Sequence, residues 1–88
     1  MVERTVTIVN RQGLHARPAA EIVKLTSKYQ SEVTLVRDDL EVNGKSIMGV
    51  MMLAAECGAT IILRASGPDD EAAIGAIAEL IAAKFGER

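Results

Sequence analysis

His15 is the only histidine in this 88-residue chain, and Gly13, Leu14, Ala16, Arg17 and Pro18 surround it. A ring nitrogen of histidine can carry a phosphoryl group. Imidazole has a reference pKa of about 6.5, so a neutral nucleophilic ring is available near neutrality. The P–N bond it forms is not a stable ester, so the group it holds is transferable. The residues after His15 read as a helix start, because Pro18 lacks an N–H and is tolerated in a first turn. The first N–H groups of a helix have no intrahelical acceptor, and the summed peptide dipoles add positive character there. Such an end receives anions. The backbone at Ala16 and the planar, permanently charged fork of Arg17 are the expected receivers of phosphoryl oxygens.

Ser46 stands before a second short helix and is expected to cap it. From Ile47 to Ala55 that segment carries no charge and holds three methionines. A two-layer domain buries one stripe of a helix. Val50 and Leu53 are expected inward, Ile47 at the boundary, and some of Met48, Met51 and Met52 exposed. Exposed apolar patches mark contact surfaces, and flexible methionine suits a surface with several partners. Leu14, Ala20, Ile47, Met48 and Met51 are expected to flank His15 as a docking face. Arg11, Arg17, Lys24 and Lys45 would give it a positive rim that steers acidic partners in and lets them go quickly.

These residues need a scaffold, and the rest of the chain spells one. Arg4 to Val9 alternates polar and apolar, with Val6 and Ile8 on one face, as a half-buried strand does. A helix is expected from Ala16 to about Lys28, with Ala19, Ile22, Val23 and Thr26 facing a sheet. Glu32 to Arg37 and Leu40 to Asn43 read as a hairpin turning at Asp38-Asp39. Thr60 to Ala65 is a further strand, preceded by a break at Gly58. Gly67-Pro68-Asp69-Asp70 opens a last helix, with acidic residues at its positive end. Its apolar stripe is Ile74, Ile77, Ile81 and Phe85, and Gly86 ends it. The order β-α-β-β-α-β-α fits a two-layer α+β domain, a four-stranded antiparallel sheet with three helices on one face. The same order also fits a ferredoxin-like domain.

Composition narrows the function classes. Residues 1–88 are expected to form one domain. Hydrophobic residues make up 49% of the chain and aromatics only 2%, so the core must be aliphatic. The 10 Lys and Arg nearly balance the 12 Asp and Glu, and no aromatic run suits base stacking, which argues against a nucleic-acid partner. The single Cys57 cannot close an internal disulfide, and no metal-ligand spacing is present. Cys57 is expected to be a small, buried or partly buried residue near a helix end. The first residues lack the apolar core of a signal peptide, and the longest uncharged run falls far short of the roughly 20 residues that span a bilayer. A cytoplasmic monomer without membrane insertion, metal or cofactor is expected.

The run Gly13-Leu14-His15-Ala16-Arg17-Pro18-Ala19-Ala20 closely resembles the active-site signature of the HPr family, histidine-containing phosphocarriers of the bacterial phosphotransferase system. The run Asn43-Gly44-Lys45-Ser46-Ile47-Met48-Gly49-Val50-Met51 resembles that family's regulatory-serine segment. The two are separated as in the family, and the resemblance covers essentially the whole chain. It implies an open-faced β-sandwich. It also implies that His15 accepts a phosphoryl group from phospho-enzyme I, charged by phosphoenolpyruvate, and passes it to a histidine on an enzyme IIA-type domain. Arg17 would contact the phosphoryl group. Ser46 would be the target of an HPr kinase/phosphorylase where the host has one. Such a protein is a stoichiometric carrier, not an enzyme. The Arg37-Asp38-Asp39 and Ala65-Ser66-Gly67-Pro68-Asp69 segments look closer to nitrogen-branch carriers, whereas the Ser46 segment looks kinase-regulated, so the branch stays open. The alternative reading is a purely regulatory module read out through Ser46, though such a module has no need of His15 with Arg17. A ferredoxin-like small-molecule sensor ranks last, because no pocket signature is spelled out. No G-x-x-x-x-G-K phosphate loop supports a hydrolase.

Overall fold

The computed structural model describes residues 1–87. Strand β1 (Val2–Thr7) is followed by helix α1 (Ala16–Thr26) and the strands β2 (Glu32–Arg37) and β3 (Leu40–Asn43). Helix α2 (Ile47–Met52), strand β4 (Thr60–Ser66), helix α3 (Asp70–Ala82) and a 3-10 turn at Lys84–Gly86 complete the order. The four strands form one antiparallel sheet in the order β1-β4-β2-β3. This is the expected two-layer α+β sandwich.

Alternation in the strands explains why the helices gather on one side. Val33 and Leu35 of β2 stand opposite Ala65 and Leu63 of β4, and Leu35 also stands opposite Val42 of β3. All five are buried with Ile61 beneath Ala19 and Ile22 of α1 and Ile74, Ile77 and Ile81 of α3. The intervening positions Glu3, Thr34 and Arg64 share the opposite, water-facing side. There Arg64 donates to Glu3 at 2.6 Å and to Glu41 at 3.2 Å.

Several element ends differ from the expected ones, each for a local reason. Strand β1 spans Val2–Thr7 rather than Arg4 to Val9, because its register runs from Val2 opposite Ala65 to Thr7 opposite Thr60. Ile8 is buried beyond the regular ladder, its N–H donating to Ala59 O and its carbonyl accepting from Gly58 N–H. Helix α1 stops at Thr26 because Lys28 and Tyr29 turn their N–H groups to Leu25 O and Thr26 O, a tighter turn. The Thr26 hydroxyl bonds Gly44 O at 2.8 Å, which ties the helix end to the segment before Ser46. Helix α2 ends at Met52 rather than Ala55. Arg37 takes up the carbonyls of Leu53 and Ala54 at 3.1 and 2.8 Å, and Ala54 adopts a left-handed backbone. Helix α3 ends at Ala82, so Phe85 is buried from the turn beyond the helix and not from its stripe. Cys57 is exposed, in the loop between α2 and β4 and not buried at a helix end, because the residues it follows have already left α2.

Candidate phosphoryl-acceptor site

The site is built from the loop that enters α1. Gly13 takes a positive φ of 70°, a conformation open to glycine at little steric expense. A side chain there would also collide with the Ala55 carbonyl and lie 2.9 Å from Glu56 Cα. The close approach lets Leu14 N–H donate to Ala55 O at 2.8 Å, locking this loop to the end of the α2 segment. Leu14 itself is only 4% exposed and belongs to the core. The expectation that Leu14 belongs to a docking face is therefore corrected: it props the loop from below.

His15 is the N-cap residue of α1, with an extended backbone, and its carbonyl accepts from Ala19 N–H at 3.0 Å. Its side chain does not cap the helix. Among the described residues the N–H groups of Ala16 and Arg17 have no protein acceptor, so they remain free for an anion beside the ring. Pro18 has no N–H to leave orphaned and is buried. Arg17 is exposed and has no ion-pair partner among the described residues. Arg11, Gln12, His15, Arg17, Gly86 and Glu87 line one open cavity.

The imidazole is partly enclosed. Its Nε2 is shut off from solvent and makes no full hydrogen bond, but it lies 3.5 Å from Glu87 Oε2. Sequence reasoning missed this carboxylate. It missed Asn10 as well, a wholly buried amide that donates to Gly13 O at 2.8 Å and to Glu87 Oε2 at 3.3 Å. Asn10 and Glu87 are far apart in the chain, and no local pattern pairs them.

The second segment behaves as its residue types dictate. The Ser46 side chain accepts from Gly49 N–H at 3.1 Å and caps α2. Val50 and Leu53 are buried, while Ile47, Met48, Met51 and Met52 are exposed, Met48 by 76%. Ala20 and Lys24 are exposed on α1. Lys45 is less free than a rim charge would be: its Nζ donates to Tyr29 O at 2.8 Å. Arg37 is half-buried and consumed by the α2 end and by Glu56. Near the start of α3, Asp69 does not cap its own helix. It accepts instead from Gln30 N–H, Ser31 N–H and the Ser31 hydroxyl. The Ser31 hydroxyl, then the Gln30 N–H, hold its carboxyl below the usual carboxylate range.

Among the described residues no cluster of His, Cys, Asp and Glu could hold a metal ion, and no helix is long and apolar enough to cross a membrane.

Comparison with known proteins agrees with this geometry. The family model described as the PTS HPr component phosphorylation site matches residues 2–83. The chain is 53% identical over 87 residues to the phosphocarrier protein HPr of Treponema pallidum, covering 99% of each chain. It is 42% identical to the phosphocarrier protein NPr of Shewanella violacea, covering 98% of this chain and 94% of the relative. The crystal structure of HPr-C-His from Thermoanaerobacter tengcongensis superposes with a TM-score of 0.96 at 48% identity, covering 100% of this chain and 99% of that one. A cap histidine beside free helix N–H groups and an unpaired arginine, on this sandwich and with this kinship, leads to one conclusion: the chain belongs to the HPr family of phosphotransferase-system phosphocarriers.

Proposed function

We propose that His15 accepts a phosphoryl group from phospho-enzyme I and passes it to an enzyme IIA-type domain. The observation that carries this reading is the placement of the ring. Nε2 is enclosed against Glu87. That leaves Nδ1 to attack. The Nδ1 lone pair forms the N–P bond while the donor keeps the electron pair of the bond that breaks. The free N–H groups of Ala16 and Arg17 and the Arg17 guanidinium hold the phosphoryl oxygens. Transfer onward is the reverse displacement, so the protein is consumed and regenerated once per cycle and is not itself an enzyme.

The docking face is the exposed Ile47, Met48 and Met51 surface of α2 together with Ala20 and Lys24 of α1. Lys45 contributes the stem more than a free charge. Ser46 is the regulatory site, open to an HPr kinase/phosphorylase. Its phosphate would add roughly −1.5 to −2 charge at the N-terminus of α2, which tolerates it, and would turn the docking face negative. A monomer is the proposed working form, a reading supported by the one cavity that His15, Arg17 and Glu87 line together.

The test is phosphorylation by enzyme I, magnesium and labelled phosphoenolpyruvate. An acid-labile, base-stable label that disappears in His15→Ala is expected. A base-labile label, or one that persists in His15→Ala, overturns the reading.

A further inference from the structure

We propose that Arg37, the last residue of β2, is a positioning residue for phosphoryl transfer: by holding the final carbonyls of the α2 segment it fixes the Ala55 carbonyl to which the His15 loop is tied. The proposal deepens, and rests on, the reading that His15 carries the phosphoryl group.

The α2 segment ends against the ordinary preference of its residues. Leu53 N–H and Ala54 N–H close tight turns onto Val50 O and Met51 O. Ala54 then takes a φ of 49°, which is unfavourable for a residue with a Cβ. A glycine commonly fills such a place, and here the chain has alanine. Arg37 supplies the stop from another strand. Its Nη1 donates to Leu53 O at 3.1 Å and to Ala54 O at 2.8 Å, and its Nη2 donates to Glu56 Oε1 at 2.6 Å. A planar, permanently charged fork serves two carbonyls and a carboxylate at once. The left-handed turn at Ala54 is held by that grip.

Beyond that turn the chain holds the acceptor loop at both of its ends. The buried Ala55 offers its carbonyl to Leu14 N–H at 2.8 Å. Three residues on, Gly58 N–H donates to Ile8 O, and Ile8 N–H donates to Ala59 O. The loop from Ile8 to Leu14 is slung between these contacts. Gly13 lies so close to Ala55 O and Glu56 Cα that even a Cβ would not fit, so the loop has no slack there. A shift of Ala54 and Ala55 therefore passes to Leu14, and from Leu14 to His15, the next residue. Among the described residues Arg37 bonds neither His15 nor Arg17, so its effect reaches them through Ala55 and Leu14. A misplacement of about 1 Å at a reacting atom can cost about a hundredfold in rate. Without Arg37, the carbonyls of Leu53 and Ala54 lose their donor, and Ala54 is free to leave the left-handed region.

The experiment compares the native chain with Arg37→Ala, Arg37→Lys and Glu56→Gln. Hydrogen exchange is measured at Leu14 N–H and referred to the amides of β4. Phosphoryl acceptance from phospho-enzyme I is measured in the steady state and resolved into kcat and KM. In Arg37→Ala, Leu14 N–H is expected to exchange about tenfold faster relative to β4. Its kcat is expected to fall about tenfold or more, with KM within about twofold of native. Arg37→Lys keeps a cation that can reach one carbonyl, and is expected to lie between the two. Glu56→Gln is expected to match the native chain within about twofold, because Glu56 is 66% accessible and the carbonyl bonds remain. Unchanged Leu14 protection, or unchanged kcat, in Arg37→Ala overturns the proposal. So does a rise in KM alone, which would confine Arg37 to supporting the docking helix. A loss in Glu56→Gln equal to that in Arg37→Ala overturns it as well. If Arg37→Ala fails to fold, Arg37→Lys decides on the same terms. The exchange measurement needs no phosphoryl donor. If His15 proves not to carry the label, the carrier reading fails while exchange at Leu14 still judges the grip of Arg37.

Discussion

Replacing Gly13 by alanine tests how the active loop is held, and Gly58 supplies the matched control. Both glycines have positive φ, 70° and 93°. An alanine at either position loses about 1–2 kcal/mol for the left-handed backbone alone. At Gly58 nothing lies within 4 Å of the added Cβ, so little more is expected. At Gly13 the Cβ meets the Ala55 carbonyl and Glu56 Cα, and both are backbone, which cannot swing aside. The loop must lift, and the 2.8 Å bond from Leu14 N–H to Ala55 O opens between two buried residues. Leaving such groups unsatisfied adds about 1–3 kcal/mol. Gly13→Ala is thus expected to lose about 2–5 kcal/mol in urea unfolding, against roughly 5–15 kcal/mol for a typical domain. In a chain of this size that lowers Tm by about 8–40 °C, at 4–8 °C per kcal/mol. Phosphoryl acceptance by the folded fraction is expected to fall as well, because the lifted loop carries His15. Equal losses for Gly13→Ala and Gly58→Ala, within about 0.5 kcal/mol, would refute the reasoning, since it assigns the excess to the Ala55 contact.

Ser46→Ala is expected to lose about 1 kcal/mol of stability through the vacated cap, measured by urea titration. Ser46→Asp should retain the cap and still accept phosphoryl groups from enzyme I more slowly than the native chain. Met48→Glu is expected to change stability by less than about 0.5 kcal/mol, being largely exposed, yet to raise KM for enzyme I in a phosphoryl-acceptance assay. For Asp69, hydrogen bonds hold the folded carboxyl below its unfolded range. Its contribution to stability is therefore complete above about pH 4, the unfolded value, and disappears as the pH falls through the lower folded value. Urea midpoints measured from pH 6 to pH 2 should show that loss in the native chain and a flatter profile in Asp69→Asn.

What could be read from the chain was what is local. The cap at Ser46, the helix start after His15 and the hairpin at Asp38-Asp39 each depend on residues within a few positions, and each is where the pattern placed it. The exposed methionines followed from counting how much of one short helix two layers can cover. Contacts between distant segments were not legible. Leu14 looked like a surface neighbour of His15, but the left-handed turn at Gly13 and the bond to Ala55 set it in the core. Arg37 looked like part of a turn, and its use as a stop for α2 depends on where Leu53 and Ala54 arrive. Glu87 was not singled out, because nothing in Lys84-Phe85-Gly86 announces three left-handed residues in a row.

The strand order also governs how this chain is made. β4, the last strand synthesised, lies between β1 and β2. On the ribosome, β1 therefore emerges with no neighbour to pair with, and only the β2–β3 ribbon can zip before residue 60 appears. A two-stranded ribbon is marginal by itself in water. Closing β1 onto β4 spans most of the polypeptide, from Val2 to Ala65, and pairings so distant form slowly. The nascent protein thus stays uncommitted until translation is nearly finished, and insertion of the final strand assembles both halves in one event.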